Sequence, residues 1–324
     1  MSEAPSAPTT VAVGPAFAPA RRPRRLGLRI GRGLVPYLLL APAVAVIAAV
    51  LAYPLYLLGA LSFQQYGLFE LIRHEGKWIG TDNYSTILHD SQFWHVLLRT
   101  VVFTGLCVAF TMLFGTLIAL LLVRLGGFMR LLLTSGLVLV WSMPVVVAVN
   151  IWIWMFDFEF GVVNYLLTKL HVGDYVHHDW FENPRTGLII IGAIVVWGAI
   201  PFVAITLFAG LTQVPSELVE AASLDGAGPL RIFRDITVPI LKPIFVILIS
   251  LSIIWDFQVF NQVWIARGGQ PTDEYFLMAI YAFVSSFRIQ QYGLGSAIAV
   301  VMVLVMLVVT FVYIREMVRI GETQ

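Results

Sequence analysis

The chain has 324 residues, 59% of them hydrophobic and only 12% charged, with a formal net charge of +1 and a mean hydropathy of +0.87. Such a composition excludes a soluble globular domain, in which about 25% of residues are charged. The near-neutral balance gives no reason to expect a nucleic-acid partner, and the single cysteine, Cys107, excludes an internal disulfide, a cysteine metal cluster and thiol catalysis.

In chain order, residues 1–32 begin rich in Ala, Pro, Ser and Thr and continue through RRPRR at 21–25. This predicts a disordered basic segment whose arginines lie against anionic membrane lipid. Residues 33–320 are expected to form one membrane domain. Six apolar runs, near 34–58, 96–123, 131–156, 187–211, 240–265 and 294–314, each reach the roughly 20 residues a helix needs to cross about 30 Å of hydrocarbon. The fold class expected is therefore an all-α integral membrane protein with six transmembrane helices. The first run is longer than the core of a signal peptide, about 7–15 residues, and is expected to stay uncleaved. Thirteen of the 20 Lys and Arg residues fall on the side that holds both termini and the loop after the fourth run. That asymmetry predicts both termini to be cytoplasmic.

Inside the runs, Pro42, Pro54, Pro144 and Pro201 each remove a helix hydrogen bond and permit a kink. Pro201 is the strongest hinge candidate, because its run leads into the loop at 213–241; Pro243, just after that loop, is the second. The fifth run carries IIWDFQVFNQVW over 253–264, and polar groups at membrane depth are costly unless they face helices or water. At 100° per residue, Gln258, Asn261 and Gln262 fall on one face, while Asp256 points away and is expected to be paired within the protein. Carboxamides beside the aromatic rings of Trp255 and Phe257 suit an uncharged polyhydroxylated solute, and Asn150 in the third run adds another amide. The same groups equally suit interhelical hydrogen bonding.

His171, His177, His178 and Asp179 share an external loop but lack an HExxH or CxxC arrangement, so no metal site is expected there. No GxxxxGK[ST] phosphate loop occurs, and no nucleophile with a base is visible at membrane depth. The chain is thus expected to be neither an ATPase nor another enzyme and to bind no cofactor itself.

The loop at 213–241 is the most informative segment. Pro215 and Ser216 open a helix, Glu217 and Glu220 place negative charge in its first turns, and Gly226 ends it. Gly228 and Pro229 open a second short helix with Ile232, Phe233 and Ile236 at helical spacing, which stops before Pro239. This segment strongly resembles the EAA loop of ABC-importer permeases, whose pattern reads roughly EAA, two residues, DGA, a Phe six positions later and P-x-x-x-P. Glu220, Ala221, Ala222, Asp225, Gly226, Ala227, Phe233, Pro239 and Pro243 occupy those positions.

Three further segments resemble the carbohydrate-type permeases: GTDNYSTILHDSQFWHVLLRT over 80–100, FDFEFGVVNYLL over 156–167 and QYGLGSAIAV over 291–300. The external loop departs from the family habit, reading IARGGQPTDE over 265–274 with Arg267 and Gln270 intruding. The resemblance implies type I importer architecture, with 213–241 as a cytoplasmic coupling loop. It also implies a second homologous permease, two ATPases that hold ATP and Mg, and an extracytoplasmic solute-binding protein. The cargo implied is a sugar or oligosaccharide, with polyols or glycerol-phosphate-type solutes as the alternative, and the location is a prokaryotic cytoplasmic membrane. An ion-coupled secondary transporter is the rival reading, supported by Asp256 alone.

Overall fold

The computed structural model describes residues 35–321; the expected disordered segment 1–32 lies outside them. The described residues fall into two compact units that divide between Tyr53 and Pro54. In the first, a helix at Val35–Ile47 contains Pro42 and passes into a π-helical turn at Ala48–Ala52. That turn ends just before Pro54, whose missing N–H cannot serve the carbonyl of Val50.

Among the described residues, four helices are long and apolar enough to cross a membrane: Pro36–Ser62, Ser91–Arg124, Pro184–Leu211 and Tyr292–Ile320. Two bent pairs, Gly127–Ser142 with Val145–Met155 and Pro229–Ile240 with Lys242–Phe257, bring the number to six when each counts as one span. The protein is thus an all-α, multi-pass membrane protein, and the six runs fall where composition predicts them. Two of them are bent. The third span bends by 101° at Met143–Pro144, and the fifth, Lys242–Phe257, meets the preceding helix Pro229–Ile240 at a bend of 78° at Leu241. Proline supplies the cause at Pro144, because it has no N–H and disfavours helical geometry in Met143.

The second and fourth spans form the centre of the larger unit. The second runs for 34 residues, about 51 Å, and starts where the Asp90 carboxylate accepts from the Gln92 N–H at 2.9 Å. At its other end Arg130 donates to the carbonyls of Leu122 and Leu125, at 3.1 and 2.8 Å, which satisfies groups the helix leaves open. The fourth span is opened by Asn183, which accepts from the Arg185 N–H at 2.9 Å, with Pro184 in the first turn. The two helices touch at Gly115: a Cβ there would lie 2.5 Å from Val203 Cγ1. Close approach through small residues is the usual basis of helix pairing in lipid.

A cap of short elements covers one end of this unit. Asn83 donates to the carbonyls of Ser62 and Gln64, both at 2.9 Å, and the Tyr84 hydroxyl donates to Ser62 at 2.7 Å. The backbone N–H of Gly293 donates to Tyr66 at 2.9 Å, so the sixth span begins on the same scaffold. Asn164, 6% exposed, donates to the carbonyls of Asp157 and His178 at 3.2 and 3.0 Å and folds the 157–183 loop around itself. Arg267, the departure from the family pattern, lies 4.5 Å over the Tyr275 ring and donates to the Phe181 carbonyl at 2.8 Å. Burial raises the Tyr275 phenol above its ordinary pKa, against the pull of that guanidinium.

Gly115→Val is expected to destabilise the protein by about 1–3 kcal/mol through overpacking, read as a lower thermal midpoint in detergent. Gly105→Val faces open space on the same helix and is expected to leave that midpoint unchanged.

Candidate functional site

The hairpin between the fourth and fifth spans is built by local chemistry. Its first helix covers Ser216–Leu224 and buries no side chain. Gly226 ends it at a φ of +80°, a conformation that L side chains rarely adopt. The Ala227 N–H returns to the Ala222 carbonyl at 2.9 Å and the Gly226 N–H to Ser223 at 3.1 Å, the bonding of a glycine-terminated helix. Pro229–Ile232 then forms the second helix. It continues through a π-helical turn over Phe233–Thr237 into Val238–Ile240, so it does not stop before Pro239 as expected: the π-helical turn accommodates the proline, which has no N–H to offer the Asp235 carbonyl.

Within this hairpin Glu220, Ala221, Asp225, Gly226 and Pro239 are exposed, while Ala222, Ala227, Phe233 and Pro243 are half-buried. A hollow of about 560 Å³ lies behind it and brings Glu220, Phe233 and Thr237 to the end of the second span at Leu120 and Arg124. Arg234 and Asp235 pair at 2.7 Å on the surface, an arrangement of little worth for stability. Sequence reasoning missed the two most exposed apolar side chains of the hairpin, Leu224 at 89% and Leu230 at 80%. Both flank the Gly226 turn, so a search for large apolar residues beside the turn glycine would have found them.

The polar residues of the fifth span are arranged differently from the helical wheel expected. The helix ends at Phe257, Gln258 occupies its C-cap, and a separate short helix covers Asn261–Ala266. A wheel drawn through all of them therefore does not describe their directions. Gln258 and Asn261 are exposed and Gln262 is half-buried. Trp255 is 49% exposed, but Phe257 is 3% exposed and belongs to the core rather than to a solute-facing surface. Asn150 is exposed and donates to the Val146 carbonyl at 2.8 Å; its helix packs against Asn261–Ala266.

The bend of the third span adds aromatic groups that sequence reasoning missed. Trp141 stacks on Phe202 at 5.9 Å, and Phe202 meets Trp255 at 5.4 Å. Their positions beside Pro144 and Pro201 were the available signal. Asp256 is 4% exposed, and its Oδ2 has no hydrogen-bond partner among the described residues, contrary to the expectation that it is paired.

Pro201 sits inside a continuous helix, so the sharp bends fall at Pro144 and Leu241. In the 157–183 loop, His178 packs edge-on against Trp180 at 4.7 Å and His177 lies 5.2 Å from the Phe158 ring. Among the described residues no three His, Cys, Asp or Glu side chains converge on a common point.

Residues 111–315 match the protein family described as binding-protein-dependent transport system inner membrane component. The chain is 40% identical over 320 residues to the diacetylchitobiose uptake system permease protein DasB of Streptomyces coelicolor, covering 99% of this chain and 97% of that one. It is 33% identical over 288 residues to the sulfoquinovosyl glycerol transport system permease protein SmoG of Agrobacterium fabrum, covering 89% and 92%. Its fold matches a chain of a bacterial alginate ABC transporter, solved in complex with an alginate pentasaccharide-bound periplasmic protein. That match has a TM-score of 0.73 at 20% identity and covers 88% of this chain and 96% of that one.

Gly226→Val is expected to cost the hairpin about 1–2 kcal/mol through the left-handed conformation. Limited proteolysis should then cut faster between Leu224 and Leu230. Gly228→Val, at a φ of −72° with no atom near its added Cβ, should leave the cleavage rate unchanged.

Proposed function

This chain belongs to the family of binding-protein-dependent transport system inner membrane components, and from that premise we propose that it forms one half of the pathway of an ATP-driven importer for a sugar or oligosaccharide. The observation that carries the reading is the exposed hairpin at 216–240, which presents Leu224 and Leu230 outward at the end of a continuous fourth span and leaves Glu220 exposed in the wall of the hollow behind it. A chain with no phosphate loop draws its energy from partners, so the hairpin is the surface that one of the transporter's two ATPase subunits, which hold ATP and Mg, would grip. We place it on the cytoplasmic side of a prokaryotic cell membrane, in line with the Lys and Arg bias. A second homologous permease completes the pathway, and an extracytoplasmic binding protein delivers the solute, as in the alginate neighbour's complex with its periplasmic protein.

The carbohydrate class is supported by the diacetylchitobiose and sulfoquinovosyl glycerol relatives and by the chemistry at the breaks of the third and fifth spans. There the exposed amides of Asn150, Gln258 and Asn261 accompany the rings of Trp141 and Trp255. Amides exchange hydrogen bonds with hydroxyls, and aromatic faces pack on the C–H surface of a sugar ring. In the proposed cycle, ATPase closure displaces the hairpin, and the fourth span carries that displacement toward the cap. The halves then rock as largely rigid bodies about the pathway.

Reconstitution into vesicles with the partner subunits tests both parts. Glu220→Lys is expected to leave the chain inserted and its solute site intact while ATP-driven uptake falls by about tenfold or more, the scale of a lost charged hydrogen bond. Normal uptake by this variant would remove the coupling role. Asn261→Ala should lower uptake with assembly unchanged; loss of assembly instead would assign Asn261 to holding the bundle together.

A further inference from the structure

Two adjoining hollows at the cap end of the second and fourth spans are lined by none of the amides proposed for the pathway and by no residue of the hairpin. One is an apolar groove of about 640 Å³ walled by Phe103, Leu106, Phe110, Leu188, Val196 and Trp197. The other, about 330 Å³, is formed by polar groups that include Arg99, Asn183, Arg185 and Glu274. Arg99, Arg185 and Leu188 border both, so two guanidiniums stand where the apolar groove opens into the polar hollow.

Glu274 and Asp273 act electrostatically on Arg99, so the uncompensated charge at this junction is chiefly that of Arg185. Arg185 is exposed and occupies the first turn of the fourth span, and its guanidinium has no hydrogen-bond or ion-pair partner among the described residues. Arg99 uses one nitrogen, Nη1, to reach the carbonyls of Asp273 and Phe276 at 2.9 and 3.0 Å, which leaves the remainder of its five-donor fork for another acceptor. The positive end of the fourth helix adds to the same potential. Dimensions agree as well. The groove follows the fourth span from Arg185 to Ile200, about 22 Å of helix, close to one leaflet of a bilayer about 40–45 Å thick with its interfaces. A neighbouring apolar helix seated here would bury Arg185 against nothing, whereas a phosphate would answer both arginines.

We infer that this junction is a phospholipid site for a headgroup with a primary amine, of the phosphatidylethanolamine type. Its phosphate is bridged by Arg99 and Arg185, its ammonium is received by Glu274, and an acyl chain lies along Phe103, Phe110 and Trp197. Glu274 discriminates here, because a carboxylate beside the phosphate favours an ammonium that donates hydrogen bonds over a quaternary amine or a glycerol headgroup.

Native mass spectrometry tests this on the full-length chain in its assembled transporter, purified in mild detergent and titrated with phosphatidylethanolamine, phosphatidylglycerol or phosphatidylcholine. Phosphatidylethanolamine should be retained preferentially. Arg185→Gln should lower its occupancy by about tenfold, the factor that 1.4 kcal/mol represents, and Glu274→Gln should abolish the preference over phosphatidylglycerol. Ala193→Phe fills the groove wall and should expel the lipid while the circular dichroism of the chain is unchanged. Equal retention of all three lipids overturns the inference. So does an Arg185→Gln variant that keeps its lipid, or cross-linking from position 193 that captures another protein subunit.

Discussion

In hydrocarbon there is no water to accept a backbone N–H or donate to a carbonyl, so each must be answered inside the chain. This one constraint makes every long element of the protein a helix and decides where those helices bend. Pro144 cannot supply a donor, and the third span turns through 101° there. Pro54 and Pro239 follow π-helical turns at Ala48–Ala52 and Phe233–Thr237, where the ladder rewinds because its next donor is missing. Pro201 carries the same defect yet sits in an unbroken helix, because it is buried in the packing of the fourth span. Neighbouring side chains hold in place what the lost hydrogen bond would have held.

The second and fourth spans form one stiff element from the cap to the hairpin. Gly115 lets them meet, while the second span is tied to the cap by Arg99 on the carbonyls of Asp273 and Phe276. At the hairpin end Arg130 binds the last carbonyls of the second span and lies 5.5 Å from the Phe208 ring of the fourth. Arg267 performs a related task between the 157–183 loop and Tyr275. Its departure from the family pattern therefore has a structural account, independent of any contact with cargo.

Much of this was legible because its causes are local. Apolar run length marked the spans, and proline, glycine and capping residues marked the first hairpin helix and its end at Gly226, but not the passage of the second helix through Pro239. The fifth span was misread for the opposite reason. No proline or glycine lies between Phe257 and Asn261, so nothing in the local pattern announces a break. The chain leaves the helix there because Phe257, Val259 and Val263 all turn into the core, a demand set by residues far away in sequence. Asp256 was misjudged by the same route: periodicity fixed its direction but carried no information about which groups would meet its oxygens.

The distribution of stiffness bears on how such a chain can be driven. The hairpin helix Ser216–Leu224 buries nothing and is held mainly by its own backbone bonds and the Gly226 turn. A partner that seats Leu224 and Leu230 would therefore add order where the isolated chain has little. Behind it, the fourth span has no break in which to lose a displacement, whereas the third and fifth spans are bent beside Pro144 and at Leu241. Under the proposed mechanism, motion at the hairpin passes along the unbroken span and is absorbed at those two bends. The bend at Pro144 lies beside Trp141, which stacks on Phe202 and through it meets Trp255, and the Asn150 helix follows that bend. Under the same proposal, the bend at Pro144 adjoins the aromatic and amide groups assigned to the sugar, so a displacement taken up there would change the shape of the site that holds it.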